Sequence, residues 1–168
     1  MDVMLNNIIT EVTDWDKIED FENSSKDPQG IHLKKLVSEI RSYGVGFNVW
    51  ELWNPADNKG TGKYEFTNLF GNDKKKILSL LRENLCKVLQ PNTCTEVSKL
   101  WADFRSLYEE INSWSSDRSV DTFWHKAQNW LKTFVSLRGK RITPYMHVLF
   151  AHVPYFLHTH KSLKVFTG

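Results

Sequence analysis

The sequence predicts a mainly α-helical domain with an antiparallel αα-hairpin and one small β-hairpin. Apolar residues recur every three to four positions over most of the chain, which is the period of an amphipathic helix. Two such stretches are joined by a short polar link, and strand-like alternation is confined to residues 47–66. The length of 168 residues suits a single domain around one hydrophobic core.

The N-terminal third is predicted to combine an irregular segment, one helix and the β-hairpin. Residues 1–30 begin with a short apolar run, and an acidic, serine-containing stretch then ends in Asp27-Pro28-Gln29-Gly30, which is typical of a loop. Apolar positions from Ile31 to Ile40 indicate a helix that Gly44 closes as an αL cap. The link within residues 47–66 is rich in Pro, Asn, Asp and Gly, which favours a hairpin.

Residues 93–138 carry the clearest helical pattern in the chain. Thr93 and Glu96 have the spacing of a capping box, and apolar residues from Val97 to Trp114 form one continuous stripe. A matching stripe covers residues 120–137 and ends at Gly139. Because the link between the stripes is short, we expect an αα-hairpin whose aromatic residues form core rather than a base-stacking platform.

Composition and cysteine content limit the classes of function. The formal charge of +2 gives no global attraction to nucleic acid or to anionic membranes, so DNA contact needs a local patch. No apolar run approaches the ~20 residues that a membrane span requires. Cys86 and Cys94 match neither a disulfide framework nor a CxxC metal site, and no signal-peptide pattern is present. We therefore expect an intracellular protein with free thiols.

The most informative segment is residues 142–154, at the start of a kinked helix predicted over residues 143–158. Thr143 supplies an N-cap, Pro144 the first helical residue and Pro154 the kink, while apolar residues nearly all round predict burial of most faces. His147 and His152 are five positions apart, so on a regular α-helix they point about 140° away from each other unless the kink changes this. They are either buried core histidines or zinc ligands.

This segment resembles the one before the last catalytic carboxylate of the V(D)J recombinase catalytic subunit and its transposase relatives. The resemblance consists of two histidines five positions apart followed by Val-Pro. It implies that His147 and His152 hold a structural zinc ion together with a CxxC pair, which lies upstream in that family and does not occur here. A site that combines them with Cys86 and Cys94 would depart from the family's spacing.

Three other stretches, residues 47–51, 62–71 and 100–104, are more loosely similar to invertebrate transposon-like proteins. The resemblance implies that the chain is the helical insertion between the second aspartate and the glutamate of a DDE transposase. It places that glutamate beyond Gly168 and the aspartates upstream. Because a DDE triad holds the two metal ions of phosphodiester transfer, the chain is not expected to be catalytic in isolation. A structural role, DNA backbone contact and a nuclear location follow.

Two basic clusters are candidates for DNA contact, since cations beside a turn hold phosphates without reading sequence. The clusters are Lys74, Lys75 and Lys76, and Arg138, Lys140 and Arg141. The first is alternatively a solvated helix face, and the second cations that offset a helix dipole. The alternative function is a free-standing interaction module whose Trp-rich surface binds a protein partner. The expected partners are therefore DNA, the rest of a larger recombinase or another protein.

Overall fold

The computed structural model describes residues 1–23, 30–139 and 142–160 of the chain. The mainly α fold class is confirmed, with a small two-stranded antiparallel sheet. Contacts within the chain form two compact units, Met1–Ser98 and a second unit from Lys99 onward, where the sequence predicts a single domain. Within the described residues, no helix has the length and apolar character that crossing a lipid bilayer requires.

The first unit begins with helix α1 (Asp2–Asn23), where the sequence predicts a partly irregular segment. The irregular part predicted within residues 1–30 does not include residues 2–23, where the buried stripe of Leu5, Ile8 and Val12 continues through polar residues. Thr13 and Asp16 are both buried, and each has hydrogen-bonding partners that offset the loss of water. The polar, acidic stretch after Val12 therefore continues the helix to Asn23. The loop expected around residues 23–30 falls largely outside the described residues.

Helix α2 (Ile31–Ser42) packs on α1 through its apolar face and confirms the predicted helix. Its buried residues are Leu33, Leu36 and Ile40. Gly44 follows with φ +72°, the left-handed conformation that glycine adopts without steric cost, so the predicted cap is also confirmed.

The β-hairpin consists of strands β1 (Val49–Asn54) and β2 (Lys59–Phe66). Val49 pairs with Phe66 at the base, and the register shifts between Glu51 and Trp53, where the longer strand forms a bulge. The base of the hairpin is buried, with the rings of Phe47 and Phe66 5.8 Å apart. The hairpin thus has a buried base and an exposed tip.

Helices α3 (Gly71–Val88) and α4 (Pro91–Asn112) follow, separated by Leu89 and Gln90. The predicted capping box is wrong, because α4 begins two residues before Thr93, at Pro91. The Gln90 carbonyl accepts hydrogen bonds from the N–H groups of Thr93 and Cys94, which closes the first turn. Proline suits this position because its missing N–H would have had no helical partner.

The second unit contains the part of α4 from Lys99, helix α5 (Val120–Arg138) and the C-terminal helices. The predicted αα-hairpin is confirmed by paired contacts, because the Trp114 ring packs on Phe123 near the link, and the Trp130 indole N–H donates to the Leu100 carbonyl at 3.1 Å. Such pairing of early with late residues is possible only in an antiparallel arrangement. Their aromatic residues are mostly buried, as expected of core.

The chain then forms α6 (Pro144–His147), a π-helical segment (Val148–His152) and α7 (Val153–His160) in direct succession. Thr143 caps α6 as predicted, since its hydroxyl accepts from the N–H of Met146 at 3.3 Å. The prediction that most faces are buried was wrong, because these helices pack on α5 while most of the described residues 142–160 are exposed or partly exposed. The side chain of Tyr145 is 88% exposed, whereas Leu157 is buried.

Candidate metal centre and basic surfaces

His147 and His152 are brought together by the π-helical segment between α6 and α7. There the N–H of Val153 donates to the carbonyl of Val148, five residues earlier in the chain. Pro154 explains this change of geometry, since it has no N–H to donate to the Phe150 carbonyl and the α-helical pattern cannot continue through it. Just before the proline the chain forms a π turn, whose hydrogen bond spans one residue more than that of an α-helix.

The π turn places residues five positions apart on the same side of the helix. The ring centroids of His147 and His152 are 5.2 Å apart with their planes at 74°. The 140° separation of a regular helix therefore does not apply here, and the alternative left open in the sequence, that the kink at Pro154 changes it, describes the structure. Both side chains are exposed, so the alternative that they are buried core histidines is wrong.

The spacing of the two imidazoles is compatible with shared coordination of one metal ion. Two imidazole nitrogens about 2.0–2.1 Å from a tetrahedral zinc ion place their ring centroids about 5 Å apart. Edge-to-face packing has a similar separation, and the His147 ring also packs edge-to-face on Phe150 at 5.3 Å. Among the described residues, no cluster of three or more His, Cys, Asp or Glu side chains could hold a metal ion. Two histidines supply two of the four ligands of a tetrahedral zinc site, which is half of the set.

Cys86 and Cys94 do not supply the other half, because they form a disulfide between α3 and α4. The expectation of free thiols was wrong. The short turn at Leu89 and Gln90 reverses the chain and brings the two Cα atoms to 4.9 Å, within the range of disulfides. Pro91 was the available signal, since it starts a second helix directly after the first. Bonded sulfurs are not the thiolates that zinc requires.

The predicted DNA-contacting residues occupy different environments. Lys74 forms an ion pair with Asp2, with 2.8 Å between Nζ and Oδ2, while Lys75 and Lys76 are exposed on the first turns of α3. Arg138 is partly buried in the last turn of α5. The remaining members of the second cluster, Lys140 and Arg141, lie outside the described residues. Among the members of these clusters that the structure describes, Lys75 and Lys76 form an exposed pair of cations.

A third basic surface, on α2, was missed because Lys34 and Lys35 form a run of only two cations and Arg41 follows six positions later. Lys34, Lys35 and Arg41 all lie on the exposed side of the helix. Plotting charge at helical spacing would have found them, since residues 34, 38 and 41 share one side of an α-helix. This surface borders a cleft between α2 and the start of β1.

No family model, curated protein or solved structure matches the chain. The recombinase resemblance therefore stays a prediction, resting on residues 142–154 and on the three looser stretches.

Proposed function

We propose that the chain is a non-catalytic helical portion of a transposase-like recombinase of the V(D)J recombinase catalytic-subunit type. In this proposal it acts as a structural, insertion-like region that contacts the DNA backbone within a larger protein. His147 and His152 contribute two ligands to a structural zinc ion. The other two ligands come from a CxxC pair elsewhere in the parent protein.

The observation that carries the proposal is the pairing of His147 with His152. Five-residue spacing is a poor arrangement for two ligands on a regular helix, and the π turn before Pro154 removes that obstacle. Both rings are exposed, so a partner segment has access to them. The histidines and the Val-Pro after them, which carry the resemblance, are thus also the residues that produce a chelating geometry.

Zinc titration tests this part of the proposal. In competition with a weak chromophoric chelator, the two histidines should bind one zinc ion per chain, with water in the positions that the CxxC pair fills in the parent protein. His147→Ala and His152→Ala should each weaken zinc binding by about ten-fold or more. Even substitution of a residue that only hydrogen-bonds to a metal ligand has an effect of that size. His158→Ala is the matched control, because His158 is also exposed in this region and its ring pairs with no other histidine ring among the described residues. Absence of zinc binding, or equal binding by all four proteins, would remove zinc from the proposal.

DNA contact and a nuclear location are the other two parts of the proposal. Exposed Lys75 and Lys76 support backbone contact, and affinity for a duplex should fall as salt rises, because phosphate contacts release counterions. Lack of binding at low salt would contradict it. In a reducing nucleus the Cys86–Cys94 disulfide should be open, so rapid thiol labelling of cell extracts tests the location.

A free-standing protein-interaction module is the second candidate. It is favoured by the exposed side of α6, the π-helical segment and α7, where Tyr145, Val148 and Tyr155 are 88%, 42% and 63% exposed. Residues 142–160 contain no Asp, Glu, Lys or Arg, and such an uncharged aromatic surface is typical of protein interfaces. If the protein binds neither zinc nor DNA, and Tyr145→Ala with Tyr155→Ala abolishes capture of a specific partner, this function replaces the first.

A further inference from the structure

A cleft of about 210 Å³ lies between the exposed side of α2 and the chain that enters β1. Among the described residues, its polar lining comes from Lys34, Ser38, Arg41 and Asn48 and includes no carboxylate. Two of these four groups are cations, and the other two are a hydroxyl and an amide. The lining therefore favours an anionic ligand.

Arg41 is held in place at this cleft. Its Nε donates to the Phe47 carbonyl at 2.8 Å, and its Nη2 donates to the side-chain oxygen of Asn48. These bonds use two of the five N–H donors of a guanidinium, which leaves three for a ligand. Asn48 is itself fixed, because its N–H donates to the Thr67 hydroxyl at 2.9 Å and its carbonyl accepts from the Thr67 N–H at 3.0 Å. A guanidinium fixed in this way binds phosphate with little further loss of entropy.

The charge of the helix surface extends beyond the cleft. The exposed residues of α2 are Ile31, Lys34, Lys35, Ser38, Arg41 and Ser42, and none of them is acidic. The one acidic residue of this helix, Glu39, is partly buried and accepts a hydrogen bond from the Tyr43 hydroxyl. Apart from Ile31 at its start, the exposed side of α2 therefore carries cations and hydroxyls.

The linear arrangement of these groups matches a polymer of phosphates. Residues 34 to 41 span roughly 10 Å along the helix axis at about 1.5 Å per residue. One strand of duplex DNA carries a phosphate about every 3.4 Å of its axis, so this length can face more than one phosphate. Arg, Lys, Ser and Asn side chains are also those that contact phosphate oxygens in protein–DNA complexes.

We propose that the α2 cleft binds the phosphodiester backbone of duplex DNA, with Arg41 and Lys34 on phosphate oxygens and Lys35 on the neighbouring exposed turn. This inference rests on the proposed function, since it names the surface through which the recombinase portion contacts DNA. The contact is independent of sequence, because none of its groups is assigned to a base edge.

The test is duplex binding, with a fluorescent random-sequence DNA titrated at several salt concentrations. Lys34→Gln combined with Lys35→Gln should weaken binding about ten-fold at low salt. It should also reduce the slope of log affinity against log salt by roughly two, at about 0.9 per phosphate contact. The matched control is Lys99→Gln combined with Lys132→Gln, since both are exposed lysines outside the first unit, to which α2 belongs. This double variant should keep the wild-type slope.

Three outcomes would overturn the inference. If only Lys75→Gln with Lys76→Gln loses binding, the site lies on α3 and DNA contact as proposed above still stands. If the wild-type protein does not bind DNA at low salt, both proposals fail for DNA. If polyglutamate competes for this surface as well as DNA does, the cleft takes acidic peptides instead. Circular dichroism of each variant verifies that it is folded.

Discussion

The carboxylate of Asp16 caps helix α2 by accepting a hydrogen bond from the backbone N–H of His32 at 2.8 Å. The second carboxylate oxygen accepts from the N–H of Leu33 at 2.9 Å. Two of the N–H groups that a helix start leaves without partners are thus satisfied by a residue from another helix. This cap joins α1 to α2. Because Asp16 is buried, water cannot replace its carboxylate as the hydrogen-bond acceptor.

Asp16→Ala should therefore lower the free energy of unfolding by about 1–3 kcal/mol, since it removes a cap and leaves buried N–H groups unpaired. Urea unfolding followed by circular dichroism measures the change. Asp14→Ala is the control, because Asp14 is exposed and its one ion pair within the described residues is with Lys17, and it should change stability by about 0.5 kcal/mol or less. Equal effects of the two substitutions would contradict the assigned cap.

Gly30→Ala should destabilise the same junction. A Cβ built on Gly30 would overlap the carboxylate of Asp16, so the capping group would have to move. Gly71→Ala provides the comparison, because a Cβ there would meet nothing, and helix propensity favours alanine. We expect a lower urea midpoint for the first variant and an equal or higher one for the second. A Gly30→Ala protein as stable as the wild type would contradict the close approach.

Opening the Cys86–Cys94 disulfide should lower stability by about 2–3 kcal/mol, the chain-entropy value for so short a loop. Urea unfolding with and without dithiothreitol measures it. The double variant Cys86→Ser with Cys94→Ser should be less stable by a similar amount and insensitive to the reductant. If dithiothreitol shifts the unfolding of this variant too, the effect does not come from the disulfide.

Pro154→Ala should weaken zinc binding although it leaves both histidines in place. Alanine has the N–H that can donate to Phe150, so a regular α-helix can form and His147 and His152 would then point about 140° apart. We expect an affinity loss of about ten-fold in the chelator competition. Pro144→Ala, at the start of α6, should bind zinc like the wild type. Unchanged affinity in Pro154→Ala would show that the π turn is not needed for the pair.

The protein should lose stability in alkaline solution through Tyr43. Burial raises the pKa of this phenol well above its ordinary value, and its hydrogen bond to Glu39 acts in the same direction. As pH rises above about 10, the unfolded chain loses the proton that the folded chain keeps, so the free energy of unfolding falls. Tyr43→Phe should show a shallower fall between about pH 9 and pH 11 in urea unfolding. An identical pH dependence would contradict this.

Much of the fold could be predicted from apolar periodicity. The αα-hairpin, α2 and the β-hairpin could be predicted because each has a complete pattern of apolar residues within its own sequence. Helix α1 could not be recognised in the same way, because Asp16 continues its buried side. A buried carboxylate is stable there only through its bonds to α2, and no local pattern reveals that partner.

The candidate site shows the same limit. Five-residue spacing places His147 and His152 on different sides of a regular helix. The two rings are predicted to lie close together only if the change of geometry caused by Pro154 is placed in the turn just before it. The disulfide depended on how tightly α3 turns into α4, which Pro91 only suggests. In both cases the sequence contains the proline responsible, but the geometry depends on where the backbone changes its conformation to accommodate that proline.

The Cys86–Cys94 disulfide also affects how damage to this chain would be detected. It bridges the link between α3 and α4, where Leu89 and Gln90 join two helices. A protease that cut this link would leave two fragments joined covalently. On a non-reducing gel the nicked chain would migrate close to the intact one, and only reduction would separate the halves.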